Sequence, residues 1–284
     1  MIGEKDNVLI VGLGLIGGSY AKGLRPSGCN LMAITRSQST IDYALAHDMI
    51  DEGTIEEDSA MIGKADLIIF GLYPHTMIEW VRRNQQYMKP GALLTDVSGV
   101  KSGVIDVIQS FLRKDVEFIG SHPMAGREVY GVQNSDAAIF HGANFIVTPT
   151  EQNTPEAIAA ARSLAQQLGF GRITELSLED HDKMIGFVSQ LTHAVAVSLM
   201  NTNDDTTHLK DYTGDSFRDL TRIAKINETM WAELFFLNKK NLVGEIDDFI
   251  AALEELKDTI VREDTQAIKK LFIQSTQRRK QFDK

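Results

Sequence analysis

Nine residues near the start of the chain, Val11-Gly12-Leu13-Gly14-Leu15-Ile16-Gly17-Gly18-Ser19, constrain the fold more than any other stretch. The apolar run Asn7-Val8-Leu9-Ile10 before them reads as a buried strand. Residues 20–24 after them read as helix, closed by Pro26 and Gly28. Strand, glycine turn and helix in that order form the context in which a GxGxxG pattern binds a dinucleotide. Gly12 permits the tight turn, Gly14 lets a pyrophosphate approach the backbone, and Gly17 lets helix and strand pack closely. With Leu15 and Ile16 these residues form the expected phosphate site, where unpaired N–H groups and the helix dipole favour an anion. The alternative is a glycine turn that serves packing alone.

The second strand, residues 30–37, should carry the group that meets the adenosine ribose, and it ends without an acid. A carboxylate there would bond the ribose 2′-hydroxyl and repel a 2′-phosphate. Thr35 removes that repulsion, and Arg36 with Ser37 suits a 2′-phosphate through charge-assisted hydrogen bonds. A solvated surface arginine is the bland alternative. Together the missing acid and the arginine favour NADP, with NAD as the alternative.

Composition narrows the class. The 284 residues suffice for a sizeable core and one or two domains. A formal net charge of −10, with no basic run in the body of the chain, argues against nucleic acid as a partner. Arg278-Arg279-Lys280 reads as a solvated helix end. The single cysteine, Cys29, excludes an internal disulfide and fits a reducing compartment. Gly12 and Gly14 break the apolar run that would otherwise imitate a signal peptide. No stretch is expected to approach a membrane span, so the expected location is cytoplasmic. One cysteine and scattered histidines lack metal-ligand spacing, and no metal is expected.

The first half alternates strand and helix signals, which predicts a doubly wound parallel sheet of Rossmann type. Further strands are expected at residues 67–71, 92–96, 117–120, 144–148 and 173–175. Helices are expected at 39–46, from Pro74 to about Tyr87, from about Lys101 to Leu112, and from Thr154-Pro155 to about Leu168, where Thr154 caps and Pro155 takes the first helical position. Beyond Ser177 helical periodicity dominates, with Ile246, Phe249, Ile250, Leu253 and Leu256 on one face. The expected fold is therefore α/β. A dinucleotide-binding domain spans 1–176, and an all-helical substrate and dimerisation domain spans 177–284.

Ligands of such sheets bind outside the carboxyl ends of the strands. Of the histidines, His122 in Ser121-His122-Pro123 has the best position: beside a nicotinamide it can take a hydroxyl proton as a hydride leaves the same carbon. A structural histidine closing a turn is the alternative. His75, also at a strand end, reads as surface. On the apolar helix 178–200, expected to be buried on most sides, Asp182, Gly186, Ser189 and His193 form one polar line, which points to a facing cavity. A satisfied core histidine remains the alternative for His193. Arg218 and Arg222 lie at i, i+4, and an apolar setting would suit Arg222 for bidentate carboxylate binding. A salt bridge with Asp215 or Asp219 explains it equally well.

Several stretches resemble one family, the prephenate/arogenate dehydrogenases of tyrosine biosynthesis. They are the glycine loop, Asp96-Val97 through Val100-Lys101, Ser121-His122-Pro123-Met124-Ala125-Gly126, His181-Asp182, Ser189 through His193, and Thr221-Arg222-Ile223-Ala224 followed by Met230-Trp231. The resemblance implies a prephenate dehydrogenase. In that reaction hydride passes from the hydroxyl-bearing ring carbon to NAD(P)+, the ring carboxylate leaves as carbon dioxide, and aromatisation drives the step. It also implies that His122 is catalytic, that Ser189 and His193 line the substrate pocket, that Arg222 holds a substrate carboxylate, and that the helical domain forms a homodimer. Two departures stand out. Where the family reads glycine then serine, the serine assisting the catalytic histidine, this chain has Ser98-Gly99: the family serine position holds glycine, Ser98 is the candidate to take its catalytic role, and the alternative is that Ser98 points elsewhere. Where the family reads Ser-His-x-Pro-His, this chain has Gln190 and Thr192. No chorismate mutase segment is expected before the glycine loop and no ACT domain after the helices, so tyrosine, if it inhibits, is expected to act at the active site.

Arogenate, or both cyclohexadienyl substrates, is the alternative within this chemistry. A β-hydroxyacid dehydrogenase shares the plan but not the SHPMAG and TRIA stretches. A non-catalytic NADP-sensing protein is the alternative of another class, disfavoured by the presence of His122 and Arg222.

Overall fold

The computed structural model describes residues 2–203 and 207–282. Every strand expected from the sequence is present, with one more that has no apolar signature. In chain order they are β1 (Asn7–Val11), β2 (Asn30–Ile34), β3 (Glu52–Thr54), β4 (Leu67–Phe70), β5 (Leu93–Asp96), β6 (Glu117–Met124), β7 (Asn144–Thr148) and β8 (Arg172–Glu175). Across the sheet they run β3-β2-β1-β4-β5-β6-β7-β8. The first six are parallel and follow the 3-2-1-4-5-6 order of a dinucleotide-binding fold. The order reverses between β1 and β4, opening a crevice at the carboxyl edge beside the glycine loop.

A wholly parallel sheet was the expectation, and β6 and β7 correct it by pairing antiparallel. The connection between them carries only the short 3-10 turns Val132–Asn134 and Ala137–Phe140. Without a helical crossover the chain returns in the opposite direction. β6 consequently runs on past the parallel ladder, and His122 lies opposite Ile146 in this extension.

The central strands are apolar on both faces because helices cover both. On one face α1 (Leu15–Leu24), α2 (Gln38–Ala46) and, later in the chain, a longer helix contribute Tyr20, Leu24, Ile41 and Leu164 to one core. On the other, α3 (Ser59–Lys64), α4 (Pro74–Asn84) and α5 (Ile105–Phe111) contribute Met61, Met77, Trp80 and Ile108. The longer helix is α6 (Pro155–Gln167), capped by the Thr154 side chain on the Ala157 N–H with Pro155 at its start. α5 begins four residues later than expected. The N–H groups of Lys101 and Ser102 are held by the Asp182 carboxylate at 2.9 and 2.7 Å, not by a helix turn.

After β8 the chain is helical: α7 (Leu178–Ile185), a π-helical segment (Gly186–Leu191), α8 (Thr192–Met200), α9 (Leu209–Tyr212), α10 (Asp215–Thr221), α11 (Glu228–Leu237), α12 (Lys239–Val261) and α13 (Thr265–Arg279). Two expectations about Leu178–Met200 need correction. By length and composition alone this 23-residue helix is apolar enough to cross a membrane. It is also not buried on most sides, since Met184, Phe187 and Val188 are exposed. Its packed side instead carries buried polar groups with protein partners. Gln190 donates to the Leu234 carbonyl at 3.1 Å and accepts from Asn238 at 2.7 Å. The π segment shifts the register of the helix, so the polar line does not face a single cavity. Asp182 meets Lys101 and Ser102, Gly186 packs on α12 near Asn241, and His193 turns to Trp231.

Candidate active site

The glycine loop joins β1 to α1. Gly12 has φ +95°, and a Cβ there would lie 2.5 Å from the Gly71 carbonyl oxygen. At Gly17 a Cβ would lie 2.2 Å from the Gly12 carbonyl oxygen, so loop and helix touch through backbone. Gly14, which caps α1, faces open space on the side a Cβ would occupy. Its side-chain-free surface adjoins the first N–H groups of α1, at Leu15, Ile16 and Gly17, which lack helical partners. This arrangement fits the pyrophosphate of a dinucleotide. At the end of β2, Thr35 is held through its N–H by the Thr54 carbonyl at 3.2 Å. Arg36 is exposed with no side-chain partner among the described residues, and Ser37 caps α2 by accepting the Thr40 N–H.

Two strands along, the turn after β5 is built around a buried ion pair. Lys101 and Asp96 are both fully buried, and Lys101 Nζ lies 2.6 Å from Asp96 Oδ2 and 2.6 Å from the Ser121 carbonyl oxygen. Asp96 Oδ1 accepts the Ser121 N–H, and Oδ2 accepts the Ser98 N–H, each at 3.0 Å. Burial pulls the Lys101 ammonium below the ordinary lysine range, and the Asp96 charge pulls it back. Such a pair offsets its desolvation only when its remaining hydrogen-bonding sites are filled, and here they are. The network fixes Ser121, and with it the backbone from which His122 projects.

Ser98 belongs to this network, which corrects the expectation that it assists His122. It is buried, and its hydroxyl is held by the Asp96 carboxylate and the Val100 carbonyl. The residue beside the histidine is Gly99. A Cβ built there would lie 3.6 Å from Leu234 Cδ1 and 3.9 Å from His122 Nε2, which is ordinary contact.

His122 is held from the other side. Its Nδ1 lies 2.9 Å from His181 Nε2, and His181 Nδ1 lies 2.7 Å from Asp182 Oδ1. Burial pushes His122 well below the ordinary histidine value, helped by repulsion from His181 when that ring is protonated and from the Lys101 charge. Burial also lowers His181, against the opposing pull of Asp182. Both rings are therefore neutral around neutral pH. His122 Nε2 has no protein partner among the described residues.

Beyond Gly99 the helical region supplies the outer wall. Leu234 and Trp231 are one turn apart on α11, and His193 stacks on Trp231 with centroids 3.7 Å apart. The His193 Nδ1 is satisfied by the Ser189 carbonyl at 2.8 Å. Burial lowers the His193 pKa, with smaller contributions from Glu128, which raises it, and Arg222, which lowers it. Arg222 corrects the sequence reading. Its side chain is 60% exposed rather than in an apolar setting, and it is ion-paired with Glu128 rather than with Asp215 or Asp219. Glu128 comes from the loop after β6, a partner 94 residues away that local spacing could not reveal. Arg218 separately reaches Asp215. His75 is exposed, as its sequence context suggests, and its Nδ1 lies 2.6 Å from Glu233 Oε1 on α11.

The structure thus brings His122 and Gly99 to one wall, with Trp231, His193, Arg222 and Glu128 beyond them. It directs Ser98 away. His181, Asp96 and Lys101 were not singled out as site residues by the chemistry of the sequence, and Asp182 entered only through the polar line, not as a partner of His181. The available signal was the acidic and basic residues inside otherwise apolar stretches, which must find partners if buried.

Two family models match the chain. One described as "Prephenate dehydrogenase, nucleotide-binding domain" matches residues 20–174, and one described as "Prephenate dehydrogenase, dimerization domain" matches residues 177–274. The crystal structure of prephenate dehydrogenase from A. aeolicus with hydroxyphenyl propionate and NAD+ is 31% identical, with a TM-score of 0.88 and 98% of each chain covered. The prephenate dehydrogenase of Bacillus subtilis (strain 168) is 28% identical over 94% of this chain and 74% of its own length. The cyclohexadienyl dehydrogenase of Zymomonas mobilis is 28% identical over 96% of this chain and 94% of its own.

Proposed function

The chain belongs to the prephenate dehydrogenase family and is an NAD(P)-dependent oxidoreductase, and on that basis we propose that its cleft binds prephenate and converts it to 4-hydroxyphenylpyruvate. The observation that carries this reading is His122 Nε2, which has no partner among the described residues. It lies at the carboxyl edge of the same sheet as the glycine loop, with its other nitrogen engaged. When bound, the nicotinamide supplies the acceptor for hydride from the hydroxyl-bearing ring carbon. His122 takes the hydroxyl proton at Nε2 as the carbonyl forms, and the ring then aromatises as its carboxylate leaves. Arg222 holds a substrate carboxylate by exchanging it for Glu128, and Ser189 and His193 line the pocket beside the Trp231 ring. Ser98 contributes by holding Asp96 and Lys101 in place. Residues 1–176 form the dinucleotide-binding unit and 177–284 the substrate and dimerisation unit, a division supported by the end of the last strand at Glu175.

We also propose a preference for NADP, supported by Thr35 and by Arg36, which has no side-chain partner among the described residues and stands next to the capping Ser37. The assay is the appearance of reduced nicotinamide with prephenate and with arogenate, under NADP+ and NAD+. Turnover of prephenate with NADP+ favoured is expected. Arg36→Ala should raise KM for NADP+ about tenfold or more, as loss of a charge-assisted hydrogen bond implies, and leave KM for NAD+ unchanged. Equal effects on both dinucleotides would refute the role of Arg36. Turnover with arogenate as well would favour the second reading, a dual cyclohexadienyl enzyme, which the Zymomonas mobilis relative supports. No turnover with either would revive the sensor.

A homodimer through the helical region is part of this reading. Its support is the apolar surface left exposed there, including Phe187, Phe236, Ile250, Leu253 and Val261, more than an isolated chain ordinarily leaves in water. Light scattering at micromolar concentration is expected to return twice the chain mass, and a monomer would remove the dimer from the reading. A cytoplasmic setting accompanies it, supported by the single buried Cys29.

A further inference from the structure

The geometry points to His181 and Asp182 as a positioning relay for His122: together they hold the His122 proton on Nδ1, so that Nε2 carries the lone pair that meets the substrate hydroxyl. This inference rests on the reading of His122 as the base.

The assignment comes from counting protons along three side chains. Asp182 Oδ1 already accepts the Lys101 N–H at 2.9 Å, and Oδ2 accepts the Ser102 N–H at 2.7 Å. Both oxygens of Asp182 are thus acceptors. As an acceptor the carboxylate fixes the proton of neutral His181 on Nδ1, 2.7 Å away. His181 Nε2 then has only a lone pair. The 2.9 Å contact to His122 Nδ1 is a hydrogen bond only if His122 donates from that nitrogen. A neutral His122 with its proton on Nδ1 is unprotonated at Nε2, the nitrogen beside Gly99. One tautomer satisfies the whole chain.

The same three side chains stabilise the charge that proton transfer creates. When the substrate O–H bond breaks, its proton forms a bond to Nε2 and the electron pair stays on oxygen to build the carbonyl. His122 becomes an imidazolium whose Nδ1–H still donates to His181, with the Asp182 carboxylate behind it. Lys101 opposes this charge and Asp96 attenuates that opposition, so the Asp182 carboxylate supplies compensation from the far end. His181 is fully buried and Asp182 nearly so, and screening by water is correspondingly weak. The relay matters more here because Gly99 offers no side chain to the front of the ring. Orientation of His122 comes from behind.

The test uses three variants of the full chain and two readouts. His181→Phe keeps the ring volume and removes the acceptor. His181→Gln keeps an acceptor at similar reach. Asp182→Asn replaces an acceptor-only group with an amide that both donates and accepts, so it no longer selects one His181 tautomer. In the ligand-free protein, 15N–1H correlation of the imidazole nitrogens is expected to show His122 protonated on Nδ1 and unprotonated on Nε2. The signals should move to a mixture of tautomers in His181→Phe and Asp182→Asn, and remain as found in His181→Gln. In turnover, His181→Phe should lower kcat by about 10²-fold, within the range of a general base's contribution, with KM for substrate changed less than about threefold. His181→Gln should recover most of that loss. If wild-type His122 carries its proton on Nε2, the relay is overturned whatever the activity. If His181→Phe and His181→Gln lose equally, with unaltered tautomer signals, His181 serves packing only. If the tautomer is as stated but His122→Asn still turns over, the relay stands and the reading of His122 as base fails.

Discussion

Replacing His122 with asparagine is expected to lower kcat by about 10²- to 10⁴-fold, the usual contribution of a positioned general base. Dinucleotide affinity should stay within about twofold, since the glycine loop belongs to another connection of the sheet. Asparagine roughly matches the ring's near half and can donate from its amide to His181 Nε2, so the packing around Pro123 and Ile146 survives. What it lacks is a basic nitrogen at the position of Nε2. Turnover within about tenfold of wild type would place the proton acceptor elsewhere. The pH profile of kcat/KM is a second check. Burial first, then repulsion from His181 when that ring is protonated and from the Lys101 charge, holds the folded His122 pKa well below 6.5. The base is therefore already unprotonated at pH 6.5, and the rate should stay level through that value and fall only at distinctly lower pH. Stability shares the sign. In the unfolded chain His122 and His181 bind protons as the pH drops through about 6.5, whereas the folded protein resists protonation, so their contribution is complete above 6.5 and is lost as pH falls towards their lowered values. An activity limb centred at 6.5 would contradict the buried setting.

Lys101→Met is expected to be strongly destabilising. It removes one member of a fully buried ion pair and leaves Asp96 with a negative charge held only by N–H and hydroxyl donors. Breaking such a pair costs about 3–5 kcal/mol. The surviving bonds from Ser98 and Ser121 place the value towards the lower end. For a chain of this size that is roughly 10 °C in Tm, read by thermal unfolding monitored by circular dichroism. Adding Asp96→Asn to Lys101→Met removes the stranded charge and should recover part of the loss, because a neutral amide is cheaper to bury than an unpaired carboxylate. A Tm within about 2 °C of wild type for the single variant would mean that the pair contributes no more than an exposed one. Catalysis should suffer as well, since Lys101 Nζ fixes the Ser121 carbonyl next to His122.

Local chemistry made part of this protein legible from its residues alone. The glycine loop, the double-sided apolar strands, the Thr154-Pro155 helix start and the all-helical second half each depend on a few neighbouring residues, and all are present. Other features depend on groups that neighbours do not supply. β3 is three residues without an apolar pattern and exists because β2 offers it an edge. β7 runs antiparallel because its connection to β6 contains no crossover helix. Ser98 and Gly99 look interchangeable as letters, yet the buried Asp96 carboxylate draws the Ser98 hydroxyl inward and leaves Gly99 against His122. Arg222 finds Glu128 rather than the nearby aspartates, and the π segment of Leu178–Met200 turns an apparent polar line in different directions. The contact between His122 and His181 joins residues 59 apart in sequence. Periodicity reports which face of an element is buried. Which charged or polar group it meets there is set by the packing of other elements, and that packing gave this site its chemistry.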